Sequence, residues 1–210
     1  MYIQEKEKLI SSLIAEGYLK TPQIINAFRK IDRADFVLEK FKNDAYLNAP
    51  LPIDFGQTIS QPLTVAFMLE LLKPEKGDII LDVGSGSGWQ TALLGEIVGG
   101  KGKVFGVEVI PELKDFGEKN IAKYNFIEKG IVKIVQAGGV KGLKEEAPFD
   151  KIIVGAMAES VPKEFRDQLK IGGRLVIPYQ GSIWLMIKKD DNGFEEYEYP
   201  GFAFVPLVNK

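Results

Sequence analysis

Residues 81–88 have the glycine-rich sequence Leu81-Asp82-Val83-Gly84-Ser85-Gly86-Ser87-Gly88. It follows the apolar run Ile79–Ile80, and residues with a helical apolar pattern follow it. At a junction of strand, turn and helix, backbone N–H groups and the helix dipole converge on one polar ligand. Glycine lets that ligand approach the backbone without a clashing Cβ. The stretch therefore predicts a ligand-binding loop, with Gly84, Ser85, Gly86 and Gly88 as candidate binding residues.

The spacing of the glycines narrows the class of ligand. A dinucleotide fingerprint requires glycine at position 89, where this chain has Trp89, and no Gly-Lys-Ser/Thr sequence follows to make a Walker loop. The next predicted strand ends at Glu108, where a carboxylate can accept both hydroxyls of a ribose. Glu108 and its neighbour Val109 are therefore candidate ligand-binding residues. The pattern favours a nucleoside without a phosphate.

Outward from the loop, helix and strand signals alternate. The expected helices run over about 62–72, through Leu93 to Ile97, from Pro111, and over about 162–169. The expected strands are 79–83, 103–108, 131–135, 151–154 and 174–177. Uncharged strands separated by helices predict an α/β fold with a parallel sheet covered on both faces. At the end of the chain, Asp190-Asp191-Asn192-Gly193 predicts a turn that joins Ile183–Ile187 to Phe202–Val208 as an antiparallel pair.

A helical annex precedes this alternation. Leu9, Ile10, Leu13 and Ile14 recur at helical spacing before Gly17, and Thr21 is a predicted N-cap before Pro22. Three prolines make 48–62 a loop. We expect one domain over 1–210, with the N-terminal helices and active-site loop in 1–60 and the ligand-binding sheet with its hairpin in 61–210.

Composition excludes several kinds of chemistry. The 210 residues contain no His and no Cys, so a Ser-His-Asp triad, a thiolate nucleophile, a disulfide and a zinc site built on these ligands are excluded, and no metal is expected. The net charge of −2 disfavours a nucleic-acid partner. No signal-peptide-like or membrane-spanning run is present, so we expect a cytoplasmic protein without a membrane partner.

The glycine loop with Glu108 resembles motif I and the following acidic residue of class I S-adenosylmethionine-dependent methyltransferases. The resemblance implies a three-layer, Rossmann-like fold whose seven-stranded sheet is mostly parallel with one antiparallel strand. It also implies S-adenosylmethionine as cofactor. Asp82 has two interpretations: it assists the amino group of the cofactor through water, or it orders the glycine loop.

A more specific resemblance lies upstream. The segment Ala49-Pro50-Leu51-Pro52-Ile53-Asp54-Phe55-Gly56-Gln57-Thr58-Ile59-Ser60-Gln61-Pro62 is similar to the signature of protein-L-isoaspartate O-methyltransferases. Further blocks in the same order include Gln90-Thr91-Ala92, Gly172-Gly173-Arg174-Leu175 and Phe204-Val205-Pro206-Leu207. The resemblance implies methylation of the free carboxylate of isoaspartyl residues in damaged peptides and proteins, with repair through a succinimide. It also implies a monomer.

The same resemblance implies a catalytic role for Ser60, with Thr58 and Ile59 beside the cofactor. The alternative is that Ser60 only caps the helix that begins at Pro62. The expected chemistry needs no histidine, because a carboxylate with a pKa of about 4 is already ionised at neutral pH and can attack a sulfonium methyl group.

The chain departs from the family near the cofactor. The family usually has Gly-Asp-Gly after the fourth strand of the sheet, with the Asp on the adenine amino group, whereas this chain has Ala137-Gly138-Gly139. Gly138 and Gly139 can offer only backbone atoms there. These departures leave two alternatives open: a methyltransferase of the same fold that acts on another carboxylate or a small molecule, and a family member that binds peptide or nucleoside without turnover.

Overall fold

A computed structural model describes residues 2–191 and 193–208, and it contains a seven-stranded sheet surrounded by helices. The α-helices are α1 Tyr2–Ala15, α2 Pro22–Lys30, α3 Pro62–Leu72, α4 Trp89–Val98, α5 Pro111–Ala122 and α6 Lys163–Gln168. The strands are β1 Leu51–Pro52, β2 Thr58–Ile59, β3 Ile79–Val83, β4 Lys103–Glu108, β5 Val132–Gln136, β6 Phe149–Val154, β7 Leu169–Tyr179, β8 Ser182–Lys188 and β9 Phe194–Pro200. β1 and β2 form a separate antiparallel hairpin.

The sheet has the order β5-β4-β3-β6-β7-β8-β9. The first five of these strands are parallel, β8 is antiparallel to β7, and β9 is antiparallel to β8. The predicted fold class, with one antiparallel strand, is therefore confirmed. The chain reverses its direction of winding between β3 and β6, and this reversal opens a crevice at the carboxyl ends of the strands. Ligands of doubly wound folds bind in such a crevice.

For the predicted C-terminal hairpin, the first strand is confirmed and the second is wrong. β8 contains Ile183–Ile187, but its partner is β9 (Phe194–Pro200), and Phe202–Val208 forms no strand. β9 is a largely exposed edge strand, rich in Glu and Tyr, whose charges suit an unpaired edge. The segment 202–208 turns back over the crevice, where Met157 bonds through its backbone to Val205 and Leu207. In the predicted turn Asp190–Gly193, Asn192 lies outside the described residues.

The apolar residues form two clusters, one on each face of the sheet, as alternation along the strands requires. Ile80 belongs to the larger cluster, which contains residues of helices α1 to α5, whereas Leu81 and Val83 belong to the smaller one, which contains Phe165 of α6. The expectation of a sheet that is covered on both faces is therefore confirmed, and the apolar cluster on one face is larger than that on the other.

The annex is attached to the sheet region by polar side chains. Thr21 is the N-cap residue of α2, as predicted, but its side chain makes no capping hydrogen bond. The N–H of Lys20 and the N–H and hydroxyl of Thr21 donate to the Glu70 carboxylate on α3, which joins the start of α2 to α3. Within the described part of the chain, no helix is long and apolar enough to cross a bilayer.

Candidate functional site

Three adjoining cavities occupy the crevice at the carboxyl ends of β3, β4 and β6. Their volumes are about 490, 360 and 670 Å³. Thr58 and Gly155 line all three, so the cavities form one continuous groove. The first cavity lies against Glu108, the second between the glycine loop and Ser60, and the third between Ser60 and Phe204.

Three glycines of the glycine loop have a left-handed backbone conformation. Gly84, Gly86 and Gly88 have φ angles of 77°, 51° and 88°, a region that L side chains rarely adopt. Gly84 and Gly86 line both the first and second cavities, whereas Gly88 begins α4 behind them. The N–H groups of Gly84 and Ser85 both donate to the carbonyl of Val107 on β4. The predicted loop therefore stands between two strand ends with its backbone exposed to the groove.

Glu108 lies at the end of β4, where the sequence predicted it, and it lines the first cavity. Its carboxylate also organises the surrounding backbone. Oε2 accepts the N–H of Gly86 at 2.9 Å, and Oε1 accepts those of Val109 and Ile110 at 2.9 and 3.0 Å. A carboxylate offers about four acceptor sites, and these three N–H groups leave capacity for about one further donor. This carboxylate joins the glycine loop to the rim of the cavity.

Asp82 lies behind the loop and lines none of the three cavities. Its carboxylate is fully buried and accepts the side-chain amide of Gln90 at 2.8 Å and the hydroxyl of Thr91 at 2.6 Å. Burial raises the pKa of Asp82 to about 6, against the lowering effect of these hydrogen bonds. Of the two interpretations of Asp82, the contacts favour ordering of the loop. Gln90, which Asp82 holds, lines the second cavity.

Ser60 follows β2 and lines the second and third cavities, and Ile59 lines the second. The capping alternative is not supported, because the N-cap residue of α3 is Gln61, and the N–H of Leu63 in the first turn donates to Asn48 Oδ1 and not to Ser60. The Ser60 hydroxyl has no hydrogen-bond partner within the described chain, although the Ser60 carbonyl accepts from Arg33. Its hydroxyl is therefore available to a ligand in the groove.

Gly138 and Gly139 occupy the start of a short turn after β5. Gly139 lines the first cavity, and a Cβ added to it would lie 3.1 Å from Leu207 Cδ1. Gly138 is absent from the linings of the three cavities. Its φ of −68° is an ordinary conformation for any residue. The backbone at this position therefore does not require glycine.

Several residues that line the first cavity were not predicted from the sequence. The first cavity is also bounded by Ile53, Gln57, Ile110, Leu113, Gly155, Ala156 and residues 205–208. The sequence contains a signal against a strand at 202–208, because Pro206 lies inside this run, and proline cannot donate to a strand ladder.

These residues fit a nucleoside with an amino-acid extension. Of the four residues that line both of the first two cavities, Gly84, Gly86 and Gly155 have no Cβ, and only Thr58 has a side chain. The Ser85 hydroxyl is buried, lines the second cavity and has no hydrogen-bond partner in the protein. A buried hydroxyl is normally satisfied, so this one indicates a polar ligand. The first cavity has the acidic residue for a ribose, and the second has unmet polar capacity for the charged end of an amino acid.

Comparison with known proteins agrees with this geometry. The family model described as protein-L-isoaspartate(D-aspartate) O-methyltransferase matches residues 4–210. A protein-L-isoaspartate O-methyltransferase of Methanopyrus kandleri is 40% identical over 214 residues, covering 100% of this chain and 94% of the relative. Protein-L-isoaspartate O-methyltransferase 2 of Archaeoglobus fulgidus is 43% identical, covering 98% and 94%.

Among solved structures, a crystal structure from Plasmodium falciparum is similar over almost the whole chain. It is described as a protein-L-isoaspartate O-methyltransferase in complex with S-adenosyl-L-homocysteine. Its TM-score is 0.87 with 26% sequence identity, and the match covers 97% of this chain and 98% of that one.

Proposed function

This chain belongs to the protein-L-isoaspartate(D-aspartate) O-methyltransferase family, and from that premise we propose which of its residues carry the reaction. The chain is an S-adenosylmethionine-dependent enzyme that methylates the free carboxylate of isoaspartyl residues in damaged proteins. The methyl ester then leads to repair through a succinimide. Isoaspartyl peptides and proteins are its substrates.

One observation carries the proposed assignment of residues: the three cavities meet at Thr58 and Gly155, with Ser60 on the boundary between the second and third. We assign the ribose to Glu108 in the first cavity and the amino-acid end of the cofactor to the loop 84–86 in the second. The third cavity, beyond Ser60, then receives the peptide. This order places the transferred methyl group beside Ser60.

When bound, S-adenosylmethionine supplies a methyl group on a sulfonium, which is an electrophile. The isoaspartyl carboxylate is the nucleophile and needs no general base, because it is ionised at neutral pH. The protein aligns the carboxylate oxygen, the methyl carbon and the sulfur, and keeps water out. The new O–C bond forms as the S–C bond breaks and its electron pair stays on sulfur. Ser60 donates a hydrogen bond that orients the carboxylate.

The loop 138–139 offers the adenine only backbone, since Gly138 has no carboxylate. Gly139 and Leu207 close the far end of the first cavity with apolar contact. We therefore propose that adenine is held mainly by packing, with Val109 beside it. Asp82 and Gly88 contribute from behind the loop.

Finer features of the molecule remain proposals of the same kind. We infer a monomer in the cytoplasm without nucleic-acid or membrane partners, and a single domain over 1–210. The net charge of −2 supports the absence of a nucleic-acid partner. Polar ties between the annex and the sheet region, such as Thr21 to Glu70, support the single domain.

The role of Ser60 is tested by Ser60→Ala. We expect methyl transfer to fall by about tenfold or more, with S-adenosylhomocysteine affinity within about threefold of the parent. The free energy of unfolding should change by less than about 0.5 kcal/mol, because no capping hydrogen bond is lost. Ser60→Thr, which keeps a hydroxyl, is the matched control and should recover part of the rate. If Ser60→Ala turns over at the parent rate, Ser60 is not the orienting residue.

A further inference from the structure

Arg33 is a buried arginine on the annex side of the groove, and its charge is not paired with a carboxylate. Its side chain is 2% exposed, and no described carboxylate forms an ion pair with it. Burial lowers the pKa of Arg33 to about 9, so the guanidinium is still charged at neutral pH. An unpaired buried charge is costly, so its environment should show what it does.

The guanidinium binds backbone carbonyls of the active-site loop. Nη1 donates to the carbonyl of Ala45 at 2.7 Å, and Nη2 donates to those of Ala49 at 2.9 Å and Ser60 at 3.0 Å. One rigid group therefore joins the two ends of the loop that carries the family signature. The planar fork of arginine suits this arrangement, and a lysine ammonium cannot reproduce it.

The other face of Arg33 meets the glycine-loop side of the groove. The guanidinium carbon lies 5.2 Å from the ring centroid of Trp89, the first residue of α4. Trp89 is 3% exposed and, like Ser60, lines the second cavity. Phe28 of α2 packs edge-on against the same indole, with ring centroids 5.5 Å apart. Arg33 thus contacts two residues that line the second cavity, Ser60 and Trp89.

We propose that Arg33 is a positioning residue that sets the distance between Ser60 and the glycine loop, and so aligns the substrate carboxylate with the methyl group. This inference rests on the proposed role of Ser60. Arg33 acts through the Ser60 carbonyl and the Trp89 ring and does not touch the reacting atoms. Because it has no contact with the first cavity, its loss should affect alignment more than binding of the nucleoside.

The test is Arg33→Met, which keeps a long apolar side chain and removes the charge and its hydrogen bonds. We expect kcat to fall by about tenfold to a hundredfold, since misplacement of reacting groups by about 1 Å has this effect. The dissociation constant for S-adenosylhomocysteine should stay within about threefold. Arg33→Lys should show an intermediate kcat, because it keeps the charge and loses the fork.

Arg174 provides a matched control. It is also partly buried and donates through Nε to a backbone carbonyl, that of Leu71 at 2.8 Å, but it lies on β7 and lines none of the three cavities. Arg174→Met should destabilise the protein and leave kcat unchanged at a temperature where both variants are folded. If the fall in kcat came from a general loss of stability, Arg33→Met and Arg174→Met would both show it. If it comes from lost positioning, only Arg33→Met shows it.

Turnover by the parent protein in the same assay tests the proposed function. The ratio of the kcat of the variant to that of the parent tests the role of Arg33. A failure of the proposed function is therefore distinguishable from a failure of the inference about Arg33. A parent-like kcat in Arg33→Met overturns the inference. So does a fall in kcat that is matched by an equal fall in nucleoside affinity. If Arg33→Met does not fold, Arg33→Lys decides: a kcat reduced at least about threefold with unchanged S-adenosylhomocysteine binding supports the inference, and a parent-like kcat overturns it.

Discussion

At the scale of single residues, the structure gives several predicted ligand-binding side chains a second task. Glu108 was expected from its place at a strand end, and it is there, but its carboxylate also holds three backbone N–H groups. A sequence indicates which residue ends a strand, whereas these N–H partners depend on how two loops meet in space. The same holds for Asp82, whose two partners come from the following helix.

Glu108→Gln separates ribose binding from loop order, because it keeps the size of the side chain and removes its charge. We expect S-adenosylhomocysteine to bind about 1.5–3 kcal/mol more weakly, the value of hydrogen bonds to a charged acceptor. Calorimetry measures this change. An analogue that lacks both ribose hydroxyls is the control ligand. Its affinity should fall less than that of S-adenosylhomocysteine, because the substituted amide disturbs a backbone N–H contact but costs the analogue no ribose contact. An equal loss for both ligands would mean that Glu108 only orders the loop.

Asp82 predicts a pH dependence of stability. Its folded pKa of about 6 lies above the unfolded value, so its favourable contribution is present at low pH and is lost as the pH rises through 6. Asp82→Asn cannot titrate at this site. Between pH 5 and 7.5, the parent should lose about 1 kcal/mol of unfolding free energy relative to the variant. Urea unfolding at a series of pH values measures the difference, and a difference that does not vary with pH would contradict the assignment.

At the scale of elements, the parallel part of the sheet was predictable because its strands are short, uncharged and separated by helices. The observed β3 and β4 have the predicted bounds, Ile79–Val83 and Lys103–Glu108. The failure at 202–208 has a physical cause. An apolar run indicates that its side chains are buried. A segment that lies over a ligand groove buries its side chains in the same way as a strand of a sheet, so the two have the same sequence pattern. Only Pro206 distinguished the two cases.

The packing of α5 against the glycine loop gives a prediction at this scale. A Cβ added to Gly117 of α5 would lie 2.7 Å from the carbonyl oxygen of Gly86, a backbone atom that cannot move without the loop. Gly117→Ala should therefore weaken S-adenosylhomocysteine binding by about tenfold, in line with an overpacking cost of 1–3 kcal/mol. Gly100→Ala is the matched control, because nothing lies within 4 Å of its added Cβ. Equal affinities in the two variants would show that the loop tolerates the shift.

For the whole molecule, the sequence was sufficient to predict the sheet, the glycine loop and the family. It predicted only some of the residues of the site. Residues with a chemical signature, such as Glu108 and Ser60, were found. Residues that shape the groove by packing, such as Ile53 and Leu207, were not, because an apolar residue in a wall has the same sequence pattern as one in a core. Arg33 was missed for a related reason, since its partners are backbone carbonyls distant along the chain.

Methyl transfer from S-adenosylmethionine should be measured on a pair of peptides that differ only in the linkage of one aspartyl residue. The groove that orients a carboxylate beside Ser60 predicts that the isoaspartyl peptide is methylated and that its normal aspartyl twin stays at the background rate. The methyl ester should then collapse to a succinimide. Equal methylation of both peptides, or none of either with a folded protein that binds S-adenosylhomocysteine, would contradict the account.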